Sequence, residues 1–556
     1  VRAQRYGPIC TNRAVVAQLR AQRNAWAVVR VLIDEIQWVL RNARAHASEP
    51  ALRSAAGFAH GAGLAEPVHR SQVGRWESGR VELTRALVRR YEVVLGLPEG
   101  QLLAAIDFFS RARNPVRATA TLSPREEPDV DETLTLLERA LAEHRMSGLD
   151  WDRLSDRLGR MPHAMVRAGD WEALLRRGLE ELSLSLDLEY AQRSDALARL
   201  AGHPRSGAVV AGMAEEVLAR PDAQFYNDTL SLLQFTVHPE AVAVLLGQLR
   251  EPTNTSSLRA CLIVLTTLVR AGRLDRETRN EAARLAVRHL RDPDQPYRVH
   301  RGAANFVRVL GPASSQRLAS ILTAEARRAA ALIIRDGRAI SSQAIREAHR
   351  RIRTALDVGE GRAGSAAEPV LNDLIETALG DTNEEDRSNA LGIIMISPQS
   401  KVIGRVHAQA FAQAYARGDN IAVHESLTVL TYMGQPGDLD LFERVALSPV
   451  AAPDVVMEAG YVVGNTTEPA TRRRDEREAA FARRIGEVVG TERGDAAADE
   501  LRGLAYVLGM RGRYDLITSL VDSLPPPGVD RRSIAEIARG VLSWWLDIPT
   551  HLRPVR

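Results

Sequence analysis

The segment Val68-His69-Arg70-Ser71-Gln72-Val73-Gly74-Arg75-Trp76-Glu77-Ser78-Gly79-Arg80 holds the side chains of this chain best suited to chemistry, and that chemistry is recognition. A helix from about Arg70 to Ser78 puts Val73 and Trp76 three residues apart on one face, to be buried against neighbouring helices. The opposite face presents Arg70, Ser71, Gln72 and Arg75. Such side chains reach phosphates and base edges, and bidentate Arg to guanine and Gln to adenine are the most discriminating pairings. Arg70 and Gln72 are expected to read bases, with Arg75 and Arg80 as phosphate anchors and His69 and Ser71 beside them. Gly79 predicts a left-handed cap. In isolation the segment equally fits a surface amphipathic helix with no DNA role.

Its surroundings supply the elements needed to position it. Downstream, Leu83, Leu87, Val88, Tyr91, Val94, Leu95 and Leu97 recur at helical spacing until Pro98, and Leu102, Leu103 and Ile106 continue a further apolar face. Upstream, Leu32, Ile36, Val39, Leu40 and Ala43 make another. A bundle of about five helices between residues 30 and 108 follows, with Val73, Trp76 and Leu87 in its core.

On Ser71, Val73, Trp76, Glu77, Gly79 and Arg80, and on the run Leu95-Gly96-Leu97-Pro98, this segment resembles the Cro/C1-type (XRE-family) helix-turn-helix domain. The resemblance covers about 75 residues and implies a transcriptional regulator that binds double-stranded DNA. Ser71 and Val73 sit two apart where three is also common. The family joins its second helix to the recognition helix by a short turn. Here Ser48-Glu49-Pro50 marks a helix start, and Gly57, Gly61, Gly63 and Pro67 fill the interval before Arg70. An insertion of roughly eight to ten residues in or beside the turn is the simplest account, and the docking angle depends on it.

Charge favours the DNA reading. Residues 1–120 hold 18 Arg, no Lys and nine acidic residues, a net of +9, which leaves −6 for the other 436 residues if the chain is to total +3. A local basic excess supplies salt-dependent affinity through counterion release. Arg2, Arg5, Arg13, Arg20 and Arg23, in an arm over residues 1–29, and Arg30 just after it precede the first acid, Asp34, and the arm could follow phosphates or enter a minor groove. An unselected extension fits the same residues, and a start at Val1 raises the question of the true start codon.

With 556 residues, 45% of them hydrophobic and 26% charged, the chain is long enough for several cores. No stretch approaches the roughly 20 apolar residues that span a bilayer, and the Arg-rich start lacks a secretory pattern, so a cytoplasmic, nucleoid-associated protein without a membrane partner is expected. Cys10 and Cys261 stand far apart and support neither a disulfide framework nor a thiolate zinc site. Lys401 is the only lysine among 73 basic residues, a bias that with abundant Ala reads as the composition of a GC-rich bacterial genome of the actinobacterial kind.

Residues 109–131, with Pro115, Pro124 and Pro128, read as a linker. From residue 132 to 556 the pattern is helix after helix, in pairs such as Glu240–Leu249 with Ser256–Ala271, Glu277–Leu290 with Tyr297–Leu310, and Leu318–Ile334 with Ile340–Leu356. Second helices recur at roughly 31 to 45 residues, close to the repeats of about 40 found in two-helix solenoids. Asp292-Pro293-Asp294-Gln295-Pro296-Tyr297-Arg298 and the run from Gly380 to Arg387 resemble the HEAT-type turn, with tetratricopeptide-like pairing the nearest competitor. The expected fold is therefore all-α, a helix-turn-helix bundle followed by an α-solenoid of roughly seven to nine stacked pairs. The concave face of such a solenoid suits an unidentified protein, peptide or small ligand.

Catalytic patterns do not hold together. Gly359-x-Gly361-x-x-Gly364 follows a helical run where a dinucleotide fingerprint needs a strand, and Lys401 lacks the glycine-rich turn of a phosphate loop. The 13 histidines, among them His46, His60 and His300, show no metal-helix spacing, so no metal and no cofactor are expected. The run Arg472-Arg473-Arg474-Asp475-Glu476-Arg477-Glu478 reads as a solvated helix face or a surface for an acidic partner, and Trp544-Trp545 as the cap of the last repeat. The expected function is a sequence-specific, non-enzymatic DNA-binding transcriptional regulator. It would act as a homodimer on paired half-sites, with the helical repeats sensing a ligand or partner or mediating assembly. The alternative is an interaction scaffold or sensor whose helix-turn-helix is degenerate.

Overall fold

The computed structural model describes residues 31–61, 68–122, 128–142, 145–236, 238–311, 330, 332–360, 368–466, 472–491, 495–526 and 533–553. Every regular element among them is helical, so the fold is all-α. The basic arm and Cys10 lie outside the described residues, as do Gly361 and Gly364. The chain divides into two compact units, Val1–Pro98 and Glu99–Arg556.

In the smaller unit, α1 runs over 31–45, a 3-10 turn over Pro50–Arg53, α2 over Ala55–Ala59, α3 over Arg70–Trp76 and α4 over Arg85–Leu95. Each start has a local cause. Pro50 opens the 3-10 turn, where its missing amide hydrogen costs nothing, and the Ser54 hydroxyl accepts from the Gly57 amide to cap α2. Thr84 caps α4 by accepting from the Leu87 amide at 3.2 Å. Gly96, at φ +64, ends α4 as the Leu97 amide turns back to the Glu92 carbonyl. The core gathers Trp38 and Leu40 from α1, Phe58 from α2, Val73 from α3, and Val88 and Tyr91 from α4.

The larger unit starts earlier than the apolar pattern implies. The helix Gln101–Arg113 (α5), read from sequence as the end of the bundle and the start of a linker, packs on two helices of this unit, Asp187–Ala201 (α6) and Glu384–Met395, instead. Phe108 and Phe109 are buried, Arg111 pairs with Asp195 at 2.7 Å, and the Gln101 side chain donates to the Ile396 carbonyl. The apolar stripe of an amphipathic helix does not reveal which core it will join, and the boundary accordingly falls after Pro98.

Asn227–Ser231 (α7), Thr255–Arg270 (α8) and Tyr297–Val309 (α9) precede Glu384–Met395 (α10), Asn420–Met433 (α11), Pro453–Asn465 (α12) and Asp495–Met510 (α13). Among the described residues of this unit two large apolar cores stand out. One gathers residues from Leu136 to Ile333, the other from Ala408 to Leu552 together with Leu184. Where α12 crosses α13, a Cβ on Gly503 would lie 2.4 Å from the Met457 Cα, so glycine is needed for the approach. Of the expected Leu318–Ile334 helix, residues 318–329 lie outside the described ones and Leu332–Asp336 forms a π-helical turn.

Within the charge run at 472–478, Asp475 and Glu476 are exposed, as on a solvated helix face, but Arg474 and Glu478 are not. Arg474 is buried and donates to Glu478 at 2.7 Å, and Glu478, 1% exposed, also accepts from Arg513. The first pair lies within one helix, whereas Arg513 reaches Glu478 from 35 residues on, a partnership that helical spacing alone does not encode. Trp545 is fully buried against Gly509 and meets Trp544 edge-on.

Candidate nucleic-acid interface

Helix α3 is short, and its seven residues owe their position to neighbours. Val73 is fully buried and Trp76 nearly so, as their spacing predicts. The Trp76 ring meets Tyr91 edge-on at 6.1 Å, and Tyr91 stacks at a tilt on Phe58 at 4.4 Å, which ties α2, α3 and α4 together.

Glu77 is the anchor that sequence reasoning treated only as part of a motif. Its carboxylate accepts two hydrogen bonds from Arg44, at 2.7 and 2.8 Å, and a third from the Tyr91 hydroxyl at 3.2 Å. Its carbonyl accepts from Arg41 at 2.8 Å. The hydrogen bond to Glu77 raises the Arg44 pKa further, which keeps the guanidinium charged. Burial first, and then the Glu77 carboxylate, pushes the Tyr91 phenol up, so it stays a neutral donor. Two arginines about one turn apart on α1 therefore grip the end of α3. The available signal was a buried-type Glu directly after an apolar Trp, with Arg41 and Arg44 spaced three apart on one helix.

The exit from α3 is a Schellman turn. Gly79 takes φ +65, its amide donates to the Trp76 carbonyl, and the Arg80 amide donates to the Arg75 carbonyl at 3.1 Å. A Cβ at Gly79 would sit 2.0 Å from the Gln37 Nε2, so a side chain there would have to displace the end of Gln37 as well as adopt a strained φ.

On the outer face, Arg70, Arg75 and Arg80 are exposed and Gln72 half-buried, and their side chains make no hydrogen bond or ion pair among the described residues. His69 and Ser71 are exposed but engaged with each other. The Ser71 amide donates to the His69 Nδ1 at 3.3 Å, and its hydroxyl lies 2.8 Å from the same nitrogen. His69 is thus the helix N-cap. Leu87 lies buried in α4.

The interval before α3 is closed at its base. The Val68 amide donates to the Ala59 carbonyl at 3.2 Å, so the chain leaves α2 and returns beside it. Residues 62–67, in the expected insertion, lie outside the described ones.

The histidines named from sequence serve local backbone groups. The His46 and His60 rings bond carbonyls one turn back, at 2.8 Å each, and His300 bonds the Asp292 carbonyl at 2.7 Å. Cys261 is buried, and its thiol is driven well above the usual range by burial. No described helix is long and apolar enough to cross a membrane. No family model matches the chain, and no curated protein is similar enough to count as a relative.

Proposed function

We propose that the smaller unit is a helix-turn-helix that reads double-stranded DNA, and that the chain is a sequence-specific transcriptional regulator acting on the nucleoid in the cytoplasm. The observation that carries the reading is the outer face of α3. Among the described residues Arg70, Gln72 and Arg75 on α3 and Arg80 in its exit turn make no side-chain hydrogen bond or ion pair, while the other face of the helix is locked by Val73, Trp76 and Glu77. Free guanidinium and amide groups on a rigid helix are what base and phosphate recognition requires. The excess of arginine in residues 1–98, 15 against seven acidic residues, supports it. Helices of the larger unit are read as stacked pairs of an α-solenoid that takes a ligand or partner, and the regulator as a homodimer on two half-sites about one DNA turn apart.

The test is selection of genomic DNA fragments by the full chain, followed by salt-dependent affinities for the enriched site and for an Arg70→Ala/Gln72→Ala variant. A defined site, with discrimination falling by about 1–3 kcal/mol per lost base contact, is expected. Steeply salt-dependent binding without a preferred sequence would reject the reading and leave an interaction scaffold.

A further inference from the structure

In the larger unit a polar seam of buried ion pairs runs between α8 and α9 on one side and α10 and α11 on the other, and beside it lies a cavity of about 280 Å³ lined mostly by residues of α5 to α12. That volume is at the small end of the ~300–1,000 Å³ of small-molecule pockets and far above the ~30 Å³ of one water. Five arginines line it, and each has a carboxylate. Arg111 pairs with Asp195, Arg259 with Glu384, Arg298 with Glu458, and Arg301 and Arg387 share Glu425.

Two lining carboxylates have no ion pair of their own among the described residues, with Arg111 and Arg270 only within electrostatic reach of Glu385. Asp228 has no ion pair or hydrogen bond to its carboxylate among the described residues, and Glu385 accepts only from the Gln234 side-chain amide, at 3.4 Å. Tyr190 and Tyr432 lie within electrostatic reach of both acids, and Tyr461 within reach of Asp228. All three phenols are kept neutral, chiefly by burial. Gln234, a residue only 2% exposed, belongs to the same lining, and its buried side-chain oxygen has no donor among the described residues.

This wall offers carboxylates, an amide oxygen and aromatic rings, the combination that holds a cation with an apolar body. Among the described residues no cluster of His, Cys, Asp and Glu is arranged for a metal ion, and a bare ion would leave most of the volume to water. We propose that the cavity binds a small organic ammonium compound, held by Asp228 and Glu385 beside Tyr190, Tyr432 and Tyr461. The assignment deepens the reading of the larger unit as a ligand sensor and is independent of DNA binding.

Calorimetric titration and thermal unfolding of the full chain, without DNA, test it with three probes: cyclohexylammonium, benzyltrimethylammonium and, as the anion of similar shape, cyclohexanecarboxylate. At least one cation is expected to bind saturably and raise the unfolding temperature, and the carboxylate to do neither. Asp228→Asn keeps the shape and removes an unpaired charge, so it should fold and weaken the cation by roughly tenfold or more, as loss of a charge-assisted contact does. Glu385→Gln should weaken it in the same direction. Equal effects of cation and anion, undiminished binding to Asp228→Asn, or no saturable binding of any probe at millimolar concentration would overturn the assignment. The last result would leave a cavity filled by water. Because DNA is absent, a failure here leaves the regulator reading untouched, and the converse holds.

Discussion

Replacing Glu77 with Gln perturbs the grip on α3 while preserving its shape. The carboxylate side chain is 7% exposed and the Arg44 guanidinium 14%, so solvent screens the pair weakly. Gln retains one oxygen for Arg44 or Tyr91 and turns an NH2 toward the other donors, which strands at least one Arg44 N–H and leaves the guanidinium without its counter-charge. Removing one partner of a buried pair costs about 3–5 kcal/mol, and because Arg44 also donates to the Arg53 carbonyl, a value near the low end, about 3 kcal/mol, is expected. Against a total stability of about 5–15 kcal/mol that is a large share. Hydrogen exchange on the full chain reads it locally. Protection of amides in 70–95 should fall by roughly two powers of ten while the larger unit is unchanged. Adding Arg44→Met should recover part of the loss, since the stranded charge is gone. A loss below about 0.5 kcal/mol, or one shared equally by both units, would refute the claim that Glu77 positions the helix.

Gly79→Ala forces an L side chain into φ +65 and against Gln37, so opening of the 70–95 segment should become easier by about 1–2 kcal/mol in the same exchange experiment, and a neutral result would reject the Schellman exit. Asp228→Asn should change stability with pH. Burial pushes the Asp228 carboxyl up to about 6, above its unfolded value of about 3.9, so the folded state binds the extra proton between these values and its advantage disappears as pH rises through about 6. The variant should therefore gain on the order of 1–3 kcal/mol relative to wild type at pH 7.5 and little at pH 4, measured by chemical unfolding, and an equal gain at both would count against an ionised, unpaired Asp228.

Local features of the fold were legible in the sequence, because they are written over a few residues. The spacing of Val73 and Trp76 set the buried face of α3, and Gly79 marked its exit through the need for positive φ, whereas α4 ends at Gly96, two residues before the Pro98 that the pattern offered. The Tyr297–Val309 helix appeared with its start in place and its end one residue late. What escaped is long-range. Arg259 and Glu384 stand 125 residues apart, Arg301 and Glu425 124. Nothing in either neighbourhood separates a buried, paired Arg from a solvated one, so charges at 472–478 and inside the seam read as surface. The cavity tyrosines come from three separate helices for the same reason, and α5 was given to the wrong neighbour because its stripe suits either core.

The seam itself has a physical logic that connects these misses. Two apolar inner faces could slide past one another at small cost, since burial is roughly proportional to area and indifferent to register. Faces studded with arginines and carboxylates cannot, because each mismatch leaves a charge buried without a partner at several kcal/mol. Pairs such as Arg301 with Glu425 at 2.5 Å and Arg270 with Asp386 at 2.5 Å therefore admit one alignment of α8 and α9 with α10 and α11. The same logic makes the cavity informative. Asp228 lies on the first side of the seam and Glu385 on the second, and it is there that the pairing stops short. A cation bound between them would contact both sides, completing the one alignment that the other pairs select. Its binding energy would then add to the cohesion of the whole unit, by an amount set by ligand concentration over Kd, and not to one helix alone.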